Sequence, residues 1–312
     1  LAEIKPEKGP VYGNHLGFRF FHVLIKMAGP LPAYMLLAFI LPYYLLIRVS
    51  ARKSASYYLK RRFPGYGPLR IFFTTYYYFL QFGKVLIDQA CMGIIDRNKF
   101  AVDFKDEEIL RAIADTEKGM VLLTTHAGNW MTAMATMNKL SVPVNLLLNV
   151  ENSEGRHFFD LSGERNIFKF IPPTGFMGGL VEATNVLNEG EILSIMGDRK
   201  EGARVIYLDF LGEKAPFPVT PYHLSHVTGA DIVVLLTART GRLSFSIEAH
   251  CITEKLDLSD KGRDEAMKLL AEKYVTLLEK YTSKHPFMWY NFFDFWSEEE
   301  KGIKRVTAGA GN

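Results

Sequence analysis

The sequence predicts an α/β fold: a mixed, mostly parallel central sheet flanked by helices, with an N-terminal hydrophobic, membrane-associated helix. Two observations carry this expectation. From about residue 100, short apolar runs alternate with longer segments of helical character, the pattern of a sheet covered on both faces. Ahead of them, residues 27–47 form an uncharged run bracketed by Lys26 and Arg48. The chain therefore divides into a membrane-anchoring, basic and aromatic helical region (1–100), an α/β domain (101–305) and a disordered tail (306–312).

The uncharged run just meets the length of a transmembrane helix. Gly29, Pro30 and Pro32 argue against continuous helix before Ala33. What remains to Ile47 is about 22 Å of helix, against a hydrocarbon core of about 30 Å. Pro42 adds an expected kink. The reading is a segment that enters or lies in one leaflet. A signal peptide is disfavoured because the run starts late and no small-residue cleavage site follows it. Beyond it come Arg48, Arg52, Lys53, Lys60, Arg61, Arg62 and Arg70, with Tyr57 and Tyr58 among them. Cations and aromatic rings at the edge of an apolar segment suit headgroup depth on a cytoplasmic face. Residues 71–82 read as a helix packed against the main domain.

Charge agrees with a membrane surface as partner. Of 37 Lys and Arg residues, 14 fall in residues 1–100, against 4 of 34 Asp and Glu. Basic charge beside apolar sequence favours lipid over nucleic acid. Two cysteines, Cys91 and Cys251, exclude a disulfide framework and a Cys-based zinc site, and they fit a reducing compartment. A chain of 312 residues can bury a core without such staples.

In the α/β region, residues 120–125, 144–150, 192–196, 205–210, 232–237 and 243–249 read as strands. Residues 129–139, 176–188, 220–228 and 264–284 read as helices. The sheet is expected to be mixed because 205–210 and 243–249 could be hairpin partners.

Polar residues interrupt this pattern at informative places. The first strand runs into His126-Ala127-Gly128-Asn129-Trp130-Met131, and strand ends are where open α/β sheets put their sites. The imidazole can take a proton near neutral pH. Gly128 permits close approach, and Asn129 can cap the following helix. The strand at 192–196 runs into Gly197-Asp198-Arg199-Lys200-Glu201, where a guanidinium can clamp an anion or join an ion pair. A third cluster, residues 210–218, precedes a helix whose amides could face an anion. Near the C-terminus, residues 286–290 and 294–296 form an aromatic block, read as core packing in preference to an acyl-chain slot.

Taken in order, these segments resemble the bacterial lipid A late acyltransferases, within the wider lysophospholipid acyltransferase-like superfamily. The resemblance rests on the N-terminal anchor, the basic stretch, the HxGNW turn at His126, the GDR turn at Asp198 and the GxxAxxP run from Gly212. Thr228-Gly229-Ala230 before a strand and the Pro-x-x-Trp ending at Trp289 complete it. It implies an acyltransferase on the cytoplasmic side of a bacterial inner membrane. Such an enzyme moves a fatty acyl group from an acyl-carrier-protein or coenzyme A thioester to a hydroxyl, or an amine, of a lipid such as a lipid A precursor. No cofactor beyond that donor is implied. His126 matches the family's catalytic base, while Asp198 and Arg199 match the motif that shapes the polar part of the site. Oxyanion or substrate contacts are expected from Gly128, Asn129 and Arg199.

One position departs from the family pattern of a carboxylate five residues after the His: Met131 stands there. Methionine can neither fix the imidazole tautomer nor stabilise imidazolium. Either another acid, Asp198 before Glu201, reaches His126 through space, or the His acts unassisted, or chemistry is lost. A non-catalytic lipid-binding protein on the same fold, and a lipid hydrolase or thioesterase, remain open alternatives.

Overall fold

A computed structural model of the chain describes residues 15–95, 99–116, 118–137, 140, 142–148, 168–172, 179–199, 204–254, 256, 261–297 and 304–305. Four helices come first: α1 (His15–Ala28), α2 (Pro30–Ile47), α3 (Val49–Arg62) and α4 (Pro68–Ile94). Gly29 separates α1 from α2 with φ 75°, a left-handed conformation that glycine adopts without strain. Helix α2 begins three residues earlier than the sequence suggested. Pro30 and Pro32 sit in its first turn, where backbone N–H groups have no intrahelical partner and proline loses nothing. Its 18 residues span about 27 Å.

The α/β region contributes β1 (Ala101–Lys105), α5 (Glu107–Ala114), β2 (Met120–Thr124), α6 (Trp130–Thr136), β3 (Val144–Leu147), β4 (Phe168–Ile171), α7 (Leu180–Asn188) and β5 (Ile192–Met196). It continues through β6 (Arg204–Phe210), β7 (Glu213–Pro218), α8 (Thr220–Thr228), β8 (Asp231–Gly241), β9 (Ser244–Cys251), α9 (Arg263–Lys284) and β10 (Lys304–Arg305). Seven strands form one sheet in the order β1-β9-β8-β2-β5-β3-β4. All neighbours are parallel except β8 and β9. The expected mixed, mostly parallel sheet is therefore present, for a different reason from the one anticipated. Strand β6 does not pair with β9; it forms a hairpin with β7 in a separate three-stranded sheet. The turn between them is Leu211-Gly212, both with positive φ, the geometry of a tight hairpin.

Both faces of the main sheet are covered, and side chains along each central strand alternate between them. Val121, Leu123, Leu193, Ile195, Ile232 and Val234 join one apolar cluster with α7, α8 and α9. Met120, Leu122, Ile192, Val233 and Leu235 face α5 and α6 in another. The first cluster also takes in Leu41 and Leu45 from α2, Tyr58 from α3 and Tyr78 from α4, so the N-terminal helices share the core of the α/β region.

The outer side of α2 has no such cover. Met35 is 66%, Phe39 83%, Tyr43 68% and Ile47 57% exposed, four residues apart and hence on one stripe. Among the described residues, α2 is the one helix long and apolar enough to cross a membrane. Residues 149–150 and 176–178, the tail from 306, and Glu201 lie outside the described residues.

Candidate active site

The sheet register itself brings the two polar turns together. Strands β2 and β5 are adjacent and parallel, with Thr124 opposite Met196. His126 and Asp198 each lie two residues further on, at the carboxyl ends of their strands. The His126 Nδ1 stands 2.8 Å from Asp198 Oδ1, and the His126 backbone N–H donates to Asp198 Oδ2 at 2.8 Å. Asp198 is thus the carboxylate in contact with the His126 ring.

A third donor completes the carboxylate's surroundings. The Trp289 indole N–H donates to Asp198 Oδ2 at 2.8 Å, and Trp289 is fully buried. Burial alone would push the Asp198 carboxyl up. The His126 ring, the Arg199 guanidinium and the His126 amide together outweigh it and hold the carboxyl below its ordinary value. An ionised Asp198 only accepts, so the hydrogen on the neutral ring belongs to Nδ1, leaving the Nε2 lone pair outward. The Asp198 side chain is 1% exposed and that of His126 25%, so the ring is reachable while its acid is sealed.

Arg199 meets the ring from the open side. Its Nε–H lies 3.1 Å from His126 Nε2, and its guanidinium lies over the Phe293 ring at 4.9 Å. The same Nε–H is 3.4 Å from Nδ1, so a guanidinium charge rests against both ring nitrogens.

Gly128 has a role that a larger residue cannot fill. Its φ is 56°, and a Cβ there would stand 1.9 Å from the Thr237 carbonyl oxygen on β8. Its N–H donates to the Met288 carbonyl at 2.6 Å. The expected oxyanion amide is thus already engaged, and Gly128 serves instead to dock the turn against β8 and the 285–290 segment. Tyr290 N–H donates to the His126 carbonyl at 2.8 Å, and Thr237 Oγ1 donates to the Ala127 carbonyl at 2.8 Å, closing the same clasp. Asn129 is buried immediately before α6, and its side-chain oxygen accepts from Gln89 of α4 at 3.0 Å. Met131 is 9% exposed and packs with Leu122 and Met134 in the cluster under α6.

His126, Asp198 and Arg199 are therefore assembled as a group, with Gly128 and Asn129 shaping the turn. Trp289 was missed as a partner. The signal was present in Pro-x-x-Trp, because a buried indole N–H needs an acceptor. No group of three or more His, Cys, Asp or Glu that could hold a metal ion occurs among the described residues.

A strand-end His held by a buried carboxylate, with a guanidinium alongside, is an arrangement chemically able to accept a proton beside an anion. The class is given by comparison with known families. Residues 78–297 match the bacterial lipid A biosynthesis acyltransferases, and the chain belongs to that family. It is an acyltransferase, and its family is typically membrane-associated. A search of curated proteins returns no match.

Proposed function

We propose that the chain transfers a fatty acyl group from an acyl-carrier-protein or coenzyme A thioester to a hydroxyl, or an amine, of a lipid acceptor such as a lipid A precursor, with His126 as general base. The observation that carries this reading is the His126–Asp198 contact at 2.8 Å, which orients the ring. His126 Nε2 takes the proton of the acceptor hydroxyl as its oxygen attacks the thioester carbonyl. Arg199 swings from the ring nitrogen to the thioester carbonyl before this proton transfer, which frees Nε2, and it then stabilises the oxyanion of the tetrahedral adduct. The adduct collapses by breaking the C–S bond, and the departing thiolate takes the proton from His126. Asp198 stays ionised throughout and steadies the imidazolium. A thioester brings its own good leaving group, so these steps call on no cofactor.

On this proposal the reaction runs at the cytoplasmic face of the bacterial inner membrane. The bare apolar stripe of α2 and the basic residues of α3 support this, since lipid tails cover the first and anionic headgroups the second. His126→Ala tests the mechanism. Transfer to lipid is expected to fall roughly 10²–10⁴-fold, with helical content and vesicle binding retained. Undiminished transfer by that variant would remove His126 from the chemistry. Free fatty acid accumulating without an acceptor would mark a hydrolase instead.

A further inference from the structure

We propose that the groove along α4 binds one membrane lipid carrying a compact phosphate headgroup, with the phosphate on Lys84 and an acyl chain running toward Leu69. Two recesses adjoin there and share Tyr77 and Phe287. The first, of about 440 Å³, is mainly apolar, lined by Leu69, Phe73, Tyr77 and Phe287 together with Arg70 and Thr74. The second, of about 400 Å³, is lined by Lys84, Arg239, Lys284 and His285. Leu69, Phe73, Tyr77, Gln81 and Lys84 recur at helical spacing, so one face of α4 passes from apolar to cationic.

The charge of the second recess is unbalanced. Arg239 pairs with Asp88 at 2.6 Å, and Lys284 pairs with Glu248 at 2.9 Å. Lys84 has no carboxylate within ion-pair distance among the described residues, although Asp88 acts on it from one turn away. Burial, and then Arg239, pull its amine below the ordinary lysine value. A phosphate would relieve that repulsion by accepting from Lys84, Arg239 and Lys284 at once. An anion tethered to a chain also fits the neighbourhood. Leu69 is 71% and Phe73 62% exposed, so the apolar end of the groove is open to the outside, as the stripe of α2 is.

The site is distinct from the His126–Asp198 pair, although the two share a wall. Met288 lines the cationic recess while its carbonyl accepts from Gly128, and the next residue, Trp289, donates to Asp198. Occupancy can be read by binding alone, whatever the fate of the transfer reaction. The full chain, purified in detergent, is titrated with dioleoyl phosphatidic acid, dioleoyl phosphatidylcholine or inorganic phosphate, and bound adducts are counted by native mass spectrometry. One phosphatidic acid per chain is expected, at least tenfold tighter than either other probe. Lys84→Gln should weaken it roughly tenfold, Lys84→Arg should keep it, and His126→Ala should leave it unchanged while stopping transfer. Equal binding of phosphatidylcholine would reduce the groove to a greasy surface. Inorganic phosphate binding as tightly as the lipid would make it a site for a soluble anion. Unaltered affinity in Lys84→Gln would overturn the assignment outright.

Discussion

Strand β2 and helix α2 are both built from apolar residues, yet they meet opposite fates. Every residue of β2 is buried, between β5 and β8 and under helices on both faces. On α2, Phe39 is 83% exposed while Leu45, on the inner side, is 1% exposed. Burial thus follows topology as well as hydrophobicity: a central strand is covered on both faces, while one side of α2 has no protein over it. Polar groups show the converse. Asp198 is sealed at the end of β5 because three donors satisfy it; on α3, Arg61 and Arg62 find acceptors in Glu213 and the Thr282 carbonyl, and Lys53 and Lys60 stay exposed.

The largest expected effect lies at the sealed carboxylate. Asp198→Asn should lower transfer roughly 10³–10⁴-fold, because an amide cannot hold the same tautomer. It should also change acid sensitivity. A carboxyl held below its unfolded value stabilises fully above that unfolded value, and the gain is lost as pH falls through the depressed one. Unfolding curves of the Asn variant should lack that acid limb, and superimposable curves would contradict the pairing. Next in size, Gly128→Ala should cost about 4 kcal/mol, since its Cβ collides with the β8 backbone in a strained left-handed conformation. Denaturant unfolding measures this directly.

Met131→Glu should destabilise by about 3 kcal/mol by placing a carboxylate in the apolar cluster under α6, without raising the rate. A large rate gain would instead mean that Asp198 is not the working acid. The smallest stability change is expected on the uncovered side. Phe39→Asp should alter unfolding in detergent by no more than about 0.5 kcal/mol, yet reduce partition into vesicles roughly tenfold or more. A large loss of stability there would mean that the stripe packs on protein.

What the sequence revealed follows from how strongly each segment announces itself. Strands β2 and β5 are continuous apolar runs ended by polar turns, so His126 and Asp198 could be placed at strand ends. Their side-by-side position needed the register, which no local pattern reports. Strand β7 escaped notice because Pro216 and Pro218 and two charged residues read as a turn; the short sheet tolerates them. Strands β1 and β4 carry Asp103 and Lys105, and Lys169, among their apolar residues, so neither shows the uncharged run that marks β2, β3 and β5. Trp289 looked like core and is core, but its one polar atom faces Asp198. The recess around Lys84 was invisible, because α4, β8 and the end of α9 meet only in the folded chain.

The indole clasp on Asp198 also orders events in time. Ribosomes deliver a chain from its N-terminus, and Trp289 follows Asp198 by 91 positions. Helix α2 has therefore left the ribosome long before the residue that finishes the acid's environment has been synthesised. The carboxylate's surroundings are therefore complete only when the last aromatic segment folds back onto the end of β5.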